Sequence, residues 1–232
     1  MIEELLPESV VVVEAHRDDP LWDAPLFPEE EALVQRAVTK RRREFAAVRG
    51  CARRAMEKLG VPAQPVVSGE RGAPVWPAGL IGSMTHCDGY CAAVLARDGD
   101  LASVGIDAEP HGPLPEGVGD SVFLPAESGR LALLAARRPG VHWDRILFSA
   151  KESVYKAWFP LTRLWLDFSE ADITLHPDPD GDDRGTLHAE LLVPGPRVGG
   201  RRLQAFDGRW AVRDGFVATS VVVPHPDVVP HP

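Results

Sequence analysis

Cysteine is scarce in this chain: Cys51, Cys87 and Cys91 are the only three in 232 residues. An odd, small number gives no disulfide framework and fits a reducing compartment, the cytoplasm. Lysine contributes four of the 25 basic residues, so the positive charge is nearly all arginine. No apolar run approaches the roughly 20 residues that span a bilayer. The acidic opening Met1-Ile2-Glu3-Glu4-Leu5-Leu6-Pro7 lacks the basic flank of a secretory signal. A zinc site is poorly supported, because Thr85-His86-Cys87 with Cys91 beyond it has no fourth ligand and no second pair. The net charge of −9 argues against a nucleic-acid binder.

What remains is a globular composition, 44% hydrophobic and 25% charged, long enough for one large domain or two small ones. Its charge is unevenly spread. Arg36 to Lys58 holds nine basic residues against only Glu44 and Glu57. An acidic protein with one such segment sets it opposite an anion, with a solvated helix face as the plainer alternative.

The β-branched run Val10 to Ala15 predicts a first strand. Pro28 with Glu29, Glu30 and Glu31 predicts a helix start. Helical spacing continues from Phe45 to Leu59 and ends at Gly60, with Arg42, Arg49 and Arg53 beside the apolar stripe, flanking a cleft. Leu80 to Thr85 and Cys91 to Ala96 predict a strand pair about Asp88-Gly89, followed by a strand over Leu101 to Asp107. The Pro- and Gly-rich stretch His111 to Gly119 reads as a crossing between two halves. A helix near Ala126 to Arg137 and a helical segment over His142 to Phe159 follow. Asp207-Gly208 and Asp214-Gly215 predict hairpin turns. Trp158-Phe159 and Trp165-Leu166 read as core, 177–184 as an exposed loop, and the tail from Pro224 as disordered.

Two stretches carry chemistry. Gly105-Ile106-Asp107-Ala108-Glu109-Pro110 reads as a strand running into a turn, and strand alternation puts Asp107 and Glu109 on one face. Phe148 through Lys151-Glu152-Ser153-Val154-Tyr155-Lys156 to Trp158 reads as a helix start, with Glu152 and Lys156 four apart. Plainer readings stand beside these. An Asp-x-Glu pair also suits a surface strand end, and Ser149-x-x-Glu152 is also a capping box. Brought together, three carboxylates and one lysine suit Mg²⁺ carrying a polyphosphate.

These two stretches resemble the signature pair of the Sfp/EntD-type 4′-phosphopantetheinyl transferases. Two upstream segments match in the family's order: Arg41-Arg42-Arg43-Glu44-Phe45 through Arg53, and Gly72 to Pro77 followed by Gly82-Ser83-Met84-Thr85-His86-Cys87. The resemblance implies an α+β fold of two similar α/β halves related by a pseudo-twofold, residues 1–112 and 113–232, in a monomer. It implies transfer of 4′-phosphopantetheine from coenzyme A to a serine of an apo acyl or peptidyl carrier protein, with release of 3′,5′-ADP. Such carriers belong to polyketide, nonribosomal peptide or fatty acid synthesis. Asp107, Glu109 and Glu152 are implied as Mg²⁺ ligands, with Glu152 also the general base and Lys156 on the pyrophosphate. Thr85, His86, Arg49, Arg53 and Arg71 are implied to contact coenzyme A phosphates. Lys151 reads as a phosphate contact or a structural partner, and the region 123–137 as the carrier's dock. A Mg²⁺-dependent hydrolase of coenzyme A and a non-enzymatic carrier-binding module are the competing readings.

Overall fold

Two antiparallel sheets are each crossed by one 20-residue helix. The computed structural model describes residues 1–179, 181 and 183–225. In the N-terminal half, β1 (Val11–His16), α1 (Pro28–Val34) and α2 (Thr39–Lys58) precede the hairpin of β2 (Leu80–Cys87) and β3 (Tyr90–Arg97). The strands lie in the order β1-β3-β2. β3 is buried on both faces. Cys91, Ala93 and Leu95 pack under α2 against Ala47, Cys51, Ala52 and Met56, while Tyr90, Ala92, Val94 and Ala96 face the other half. A strand with two apolar faces shows no alternation in its sequence.

The C-terminal half begins with β4 (Leu101–Pro110), followed by α3 (Val118–Val122), α4 (Pro125–Arg137) and α5 (Trp143–Thr162). Then come β5 (Ala171–Pro177), β6 (Arg184–Leu191), the short β7 (Arg197–Val198) and β8 (Arg201–Arg202), β9 (Ala205–Arg213) and β10 (Phe216–Pro224). Five of these strands form one sheet in the order β4-β10-β9-β6-β5. The expected division after residue 112 would leave β4 with the N-terminal half. Its main-chain partner is instead β10, in a register running from Phe216 opposite Pro110, so the halves part in the short turn between β3 and β4. The two halves are similar in plan but unequal, three strands against five.

Across the seam, β2 and β4 meet through side-chain hydroxyls. Ser83 Oγ accepts from the Ile106 amide and Thr85 Oγ1 from the Ala108 amide, each at 3.1 Å.

α5 lies against β4 in a matched register. Ser103 Oγ donates to Ala157 O, and Ser149 Oγ donates to Asp107 Oδ2. Arg145 Nη1 donates to Glu109 Oε2. Between these, a Cβ on Gly105 would sit 2.0 Å from Ser153 O, so only glycine fits. Every second strand residue thus meets every fourth helix residue. The match is physical: two strand residues advance ~6.6 Å and four helix residues ~6.0 Å.

Several expectations change. Ser149 lies two turns inside α5, whose N-cap is His142, so Ser149-x-x-Glu152 is not a capping box. Asp207-Gly208 lies within β9, where a Cβ on Gly208 would stand 2.0 Å from Ser220 O; close packing, not a turn, calls for glycine there. Asp214 and Gly215, at φ 52° and 80°, do make the β9–β10 turn. Trp165 is 53% exposed, outside the core that takes Trp158, Phe159 and Leu166. Pro224 ends β10 and the His225 ring bonds Asp98 O, while 226–232 of the expected disordered tail lie outside the described residues. Asp180 and Asp182 of the acidic loop also lie outside them. Among the described residues no helix is long and apolar enough to cross a membrane.

Candidate active site

A cavity of about 640 Å³ opens where α2, β2, β4 and α5 converge, covered by the loop from Ser68 to Trp76. Among the described residues, Arg41, Arg49, Arg71, Lys156 and Arg163 line it against two acids, Glu70 and Glu152. A chain of net charge −9 thus keeps a basic hollow at the meeting of its halves. Trp76, Met84, Tyr155 and Phe159 supply apolar wall, and the Tyr155 hydroxyl is buried with no hydrogen-bond partner among the described residues.

Asp107 is the hub beside this cavity. Buried on β4, it accepts from Lys156 Nζ at 2.8 Å, Ser149 Oγ at 2.8 Å and Thr85 Oγ1 at 3.2 Å. Lys156 also donates to Ile106 O at 3.0 Å. One turn back on α5, the Glu152 carboxylate lines the cavity and makes no hydrogen bond among the described residues. Burial pushes its carboxyl above the usual range, Lys156 opposes this, and Asp107 adds to the rise. Glu109 is raised as well, by burial and by Asp107, against the pull of Arg145.

His86 and two arginines form the α2 side. Arg41 donates to His86 Nε2 at 2.5 Å, which leaves the ring proton on Nδ1, 3.8 Å from Glu44. Burial, then Arg41, Lys156 and Arg49, hold the imidazole neutral, with its pKa lowered to about 4. Arg49 is buried, stacks at 3.2 Å over the Phe45 ring and donates to Val66 O. Burial lowers its pKa to about 10, still well above neutrality. Arg71 stands at the tip of the covering loop at φ 53°, with its guanidinium 5.3 Å from the Trp165 ring centre.

Glu152, Lys156, Arg49, Arg71 and His86 therefore line one cavity, Asp107 joins it through Lys156, and Glu109 follows along β4. Three expected contacts are placed elsewhere. Arg53 pairs with buried Glu30 at 2.8 Å and donates to Pro25 O, on the α1 side of α2. Arg42 and Arg43 are likewise paired, with Glu31 and Asp23, so most of the basic helix answers acids of its own half. Lys151 spends its three protons on Glu127, Phe168 O and Ala171 O, and none is left for a phosphate. Thr85 turns its hydroxyl to Asp107 and the Ala108 amide.

Arg41 and Arg163 were not anticipated. Arg41, Phe45 and Arg49 repeat every fourth residue on one face of α2, a signal available in the sequence. Arg163 is the left-handed C-cap of α5, at φ 59°, and carries no such signal.

Among the described residues, no three His, Cys, Asp or Glu side chains converge closely enough to hold a metal ion by themselves. The acids present are hard oxygen donors, and both Glu109 and Glu152 are raised by burial and by Asp107. Such a set fits an ion whose shell is completed by substrate phosphates and water.

Family models divide the chain where its sheets divide. The 4′-phosphopantetheinyl transferase N-terminal domain matches residues 29–96, and the 4′-phosphopantetheinyl transferase superfamily matches residues 103–191. The chain is 58% identical over 229 residues to 4′-phosphopantetheinyl transferase Svp of Streptomyces mobaraensis, covering 97% of this chain and 90% of that one. It is 49% identical to Npt of Nocardia iowensis, over 95% of this chain and 99% of the relative. PptT of Mycobacterium tuberculosis is 46% identical, over 96% of this chain and 98% of its own. The chain belongs to the 4′-phosphopantetheinyl transferase superfamily.

Proposed function

We propose that this chain moves 4′-phosphopantetheine from coenzyme A to a serine hydroxyl of an apo acyl or peptidyl carrier protein, acting as a monomer. The observation that carries the reading is the Lys156–Asp107 pair, with Glu152 one turn away on the wall of a cationic cavity. Arg41 and Arg49 would hold phosphate at one end, with the neutral His86 beside it holding Arg41 through Nε2. Trp76, Tyr155 and Phe159 suit the less polar pantetheine arm.

Asp107, Glu109 and Glu152 would hold Mg²⁺. Bound there, it supplies counter-charge to the pyrophosphate as charge builds on the leaving group. The chain's own groups do the rest. Lys156 binds the pyrophosphate while Asp107 fixes its ammonium in place. Glu152 takes the serine proton, as the carboxylate that lines the cavity one turn from Lys156. The serine oxygen bonds to the phosphorus that carries pantetheine, the bond to the bridging oxygen breaks, and 3′,5′-ADP leaves.

Intact-mass spectrometry of apo carrier domains incubated with the protein, coenzyme A and Mg²⁺, with and without EDTA, tests this. A gain of one phosphopantetheine, lost with EDTA, is expected. Coenzyme A consumed without any gain would make the protein a hydrolase, and neither change would leave a binding module.

A further inference from the structure

Arg145, in the first turn of α5, touches both a carboxylate of the site and the chain leaving β4. Its guanidinium donates to Glu109 Oε2 at 3.1 Å, Gly112 O at 3.1 Å and Pro113 O at 2.6 Å. The Arg145 side chain is 15% exposed; its bonds to Glu109 and Gly112 are partly buried, and the one to Pro113 is open to water. Its neighbours fasten the same segment: Asp144 Oδ2 accepts from the Leu114 amide, and His111 Nε2 accepts from the His142 amide. Among the described residues Glu109 Oε1 has no hydrogen-bond partner. One carboxylate oxygen is held and the other left free, on the strand face that carries Asp107.

We propose that Arg145 is a positioning residue for the divalent cation: it fixes Glu109 through Oε2, anchors the 112–113 backbone, and leaves Oε1 as a preset ligand oxygen. This rests on the metal reading given above. A glutamate at a strand end is otherwise free to swing, and ordering it on binding costs affinity. A planar fork bonding three acceptors in different directions removes that freedom, which a lysine cannot do. The opposite effect is equally concrete: a guanidinium on Glu109 that merely competes with the cation would tighten metal binding when removed.

The test titrates Mn²⁺ in the presence of coenzyme A and follows free Mn²⁺ by electron paramagnetic resonance. It compares wild type, R145A, R145K, E109Q and the double variant R145A/E109Q, with near-ultraviolet circular dichroism as the check on folding. R145A should weaken Mn²⁺ binding about tenfold, the lower end for loss of a ligand's supporting partner. R145K should fall between. In the E109Q background, removing Arg145 should change affinity by less than about twofold, because the two act as one unit. Unchanged or tighter binding in R145A overturns the proposal, as does an equal loss with and without Glu109. If R145A does not fold, R145K against R145K/E109Q gives the same comparison. A wild-type protein that binds no Mn²⁺ overturns the metal reading itself, and this proposal with it.

Discussion

Lys156 and Asp107 lock helix α5 to strand β4 at 2.8 Å, and the lysine's second bond, to Ile106 O, ties it to the backbone of the same strand. The ammonium is therefore aimed by the acid that it neutralises. Asp107 is almost wholly buried, and Lys156 is the cation paired with it.

Replacing Lys156 with methionine should cost about 2–3 kcal/mol of stability, toward the lower end for a buried pair because the lysine is partly exposed. Transfer should slow by at least about 10²-fold through lost charge stabilisation. Denaturant unfolding and single-turnover transfer read the two effects separately.

Glu152→Gln should lower transfer by about 10²–10⁴-fold, the usual weight of a positioned base. Its stability should move the other way with pH. Burial raises the folded-state pKa of Glu152 above its unfolded value, near 4.3 in model peptides, so the folded state keeps its proton longer. Stability then falls as pH rises past the unfolded value. The variant should match wild type in Tm at pH 4 and below, and exceed it at pH 7–8. Equal Tm values throughout would mean that Glu152 is not strained by burial.

Gly105→Ala places a methyl where Ser153 O already stands. The helix must lift from the strand, at about 1–3 kcal/mol for overpacking. Because Glu152 and Lys156 ride on that helix, kcat should fall with stability. An alanine variant with wild-type kcat and Tm would show that the α5–β4 fit is looser than its contacts imply.

Lys151 and Glu127 form a buried pair that joins α4, α5 and the start of β5. Removing one charge strands the other, so Lys151→Met should destabilise by about 3–5 kcal/mol. Its KM for coenzyme A should stay within about twofold of wild type, as for any site without shared partners. Arg49→Ala should instead raise that KM by about tenfold, since Arg49 lines the cavity and a charge-assisted bond is worth roughly 1.5–3 kcal/mol. A large KM effect in Lys151→Met would put that lysine on the substrate after all.

The sequence was most readable where chemistry and geometry are both local. The alternation that places Asp107 and Glu109 on one face, the Asp88-Gly89 hairpin and the four-residue step from Glu152 to Lys156 all needed only neighbouring residues. It was least readable where a partner lies far along the chain. β4 pairs with a strand more than a hundred residues later, which no local pattern reveals. Arg49 and Arg53 are one turn apart on α2, yet one enters the cavity and the other turns to Glu30, a choice made by α1. Ser149 reads as a helix cap only while the true start at Trp143 is out of view; in three dimensions its hydroxyl serves Asp107.

The hydroxyls of Ser83 and Thr85 stand at the seam where a continuous sheet would carry carbonyl groups. Thr85 closes that joint and steadies Asp107 with the same oxygen. Cutting the chain between β3 and β4 would leave each piece with an incomplete set of bonds to Asp107. Neither piece is a smaller version of the enzyme, and two halves encoded separately would have to reassemble before the first phosphate could be gripped. A single covalent chain makes that assembly a folding step, independent of protein concentration.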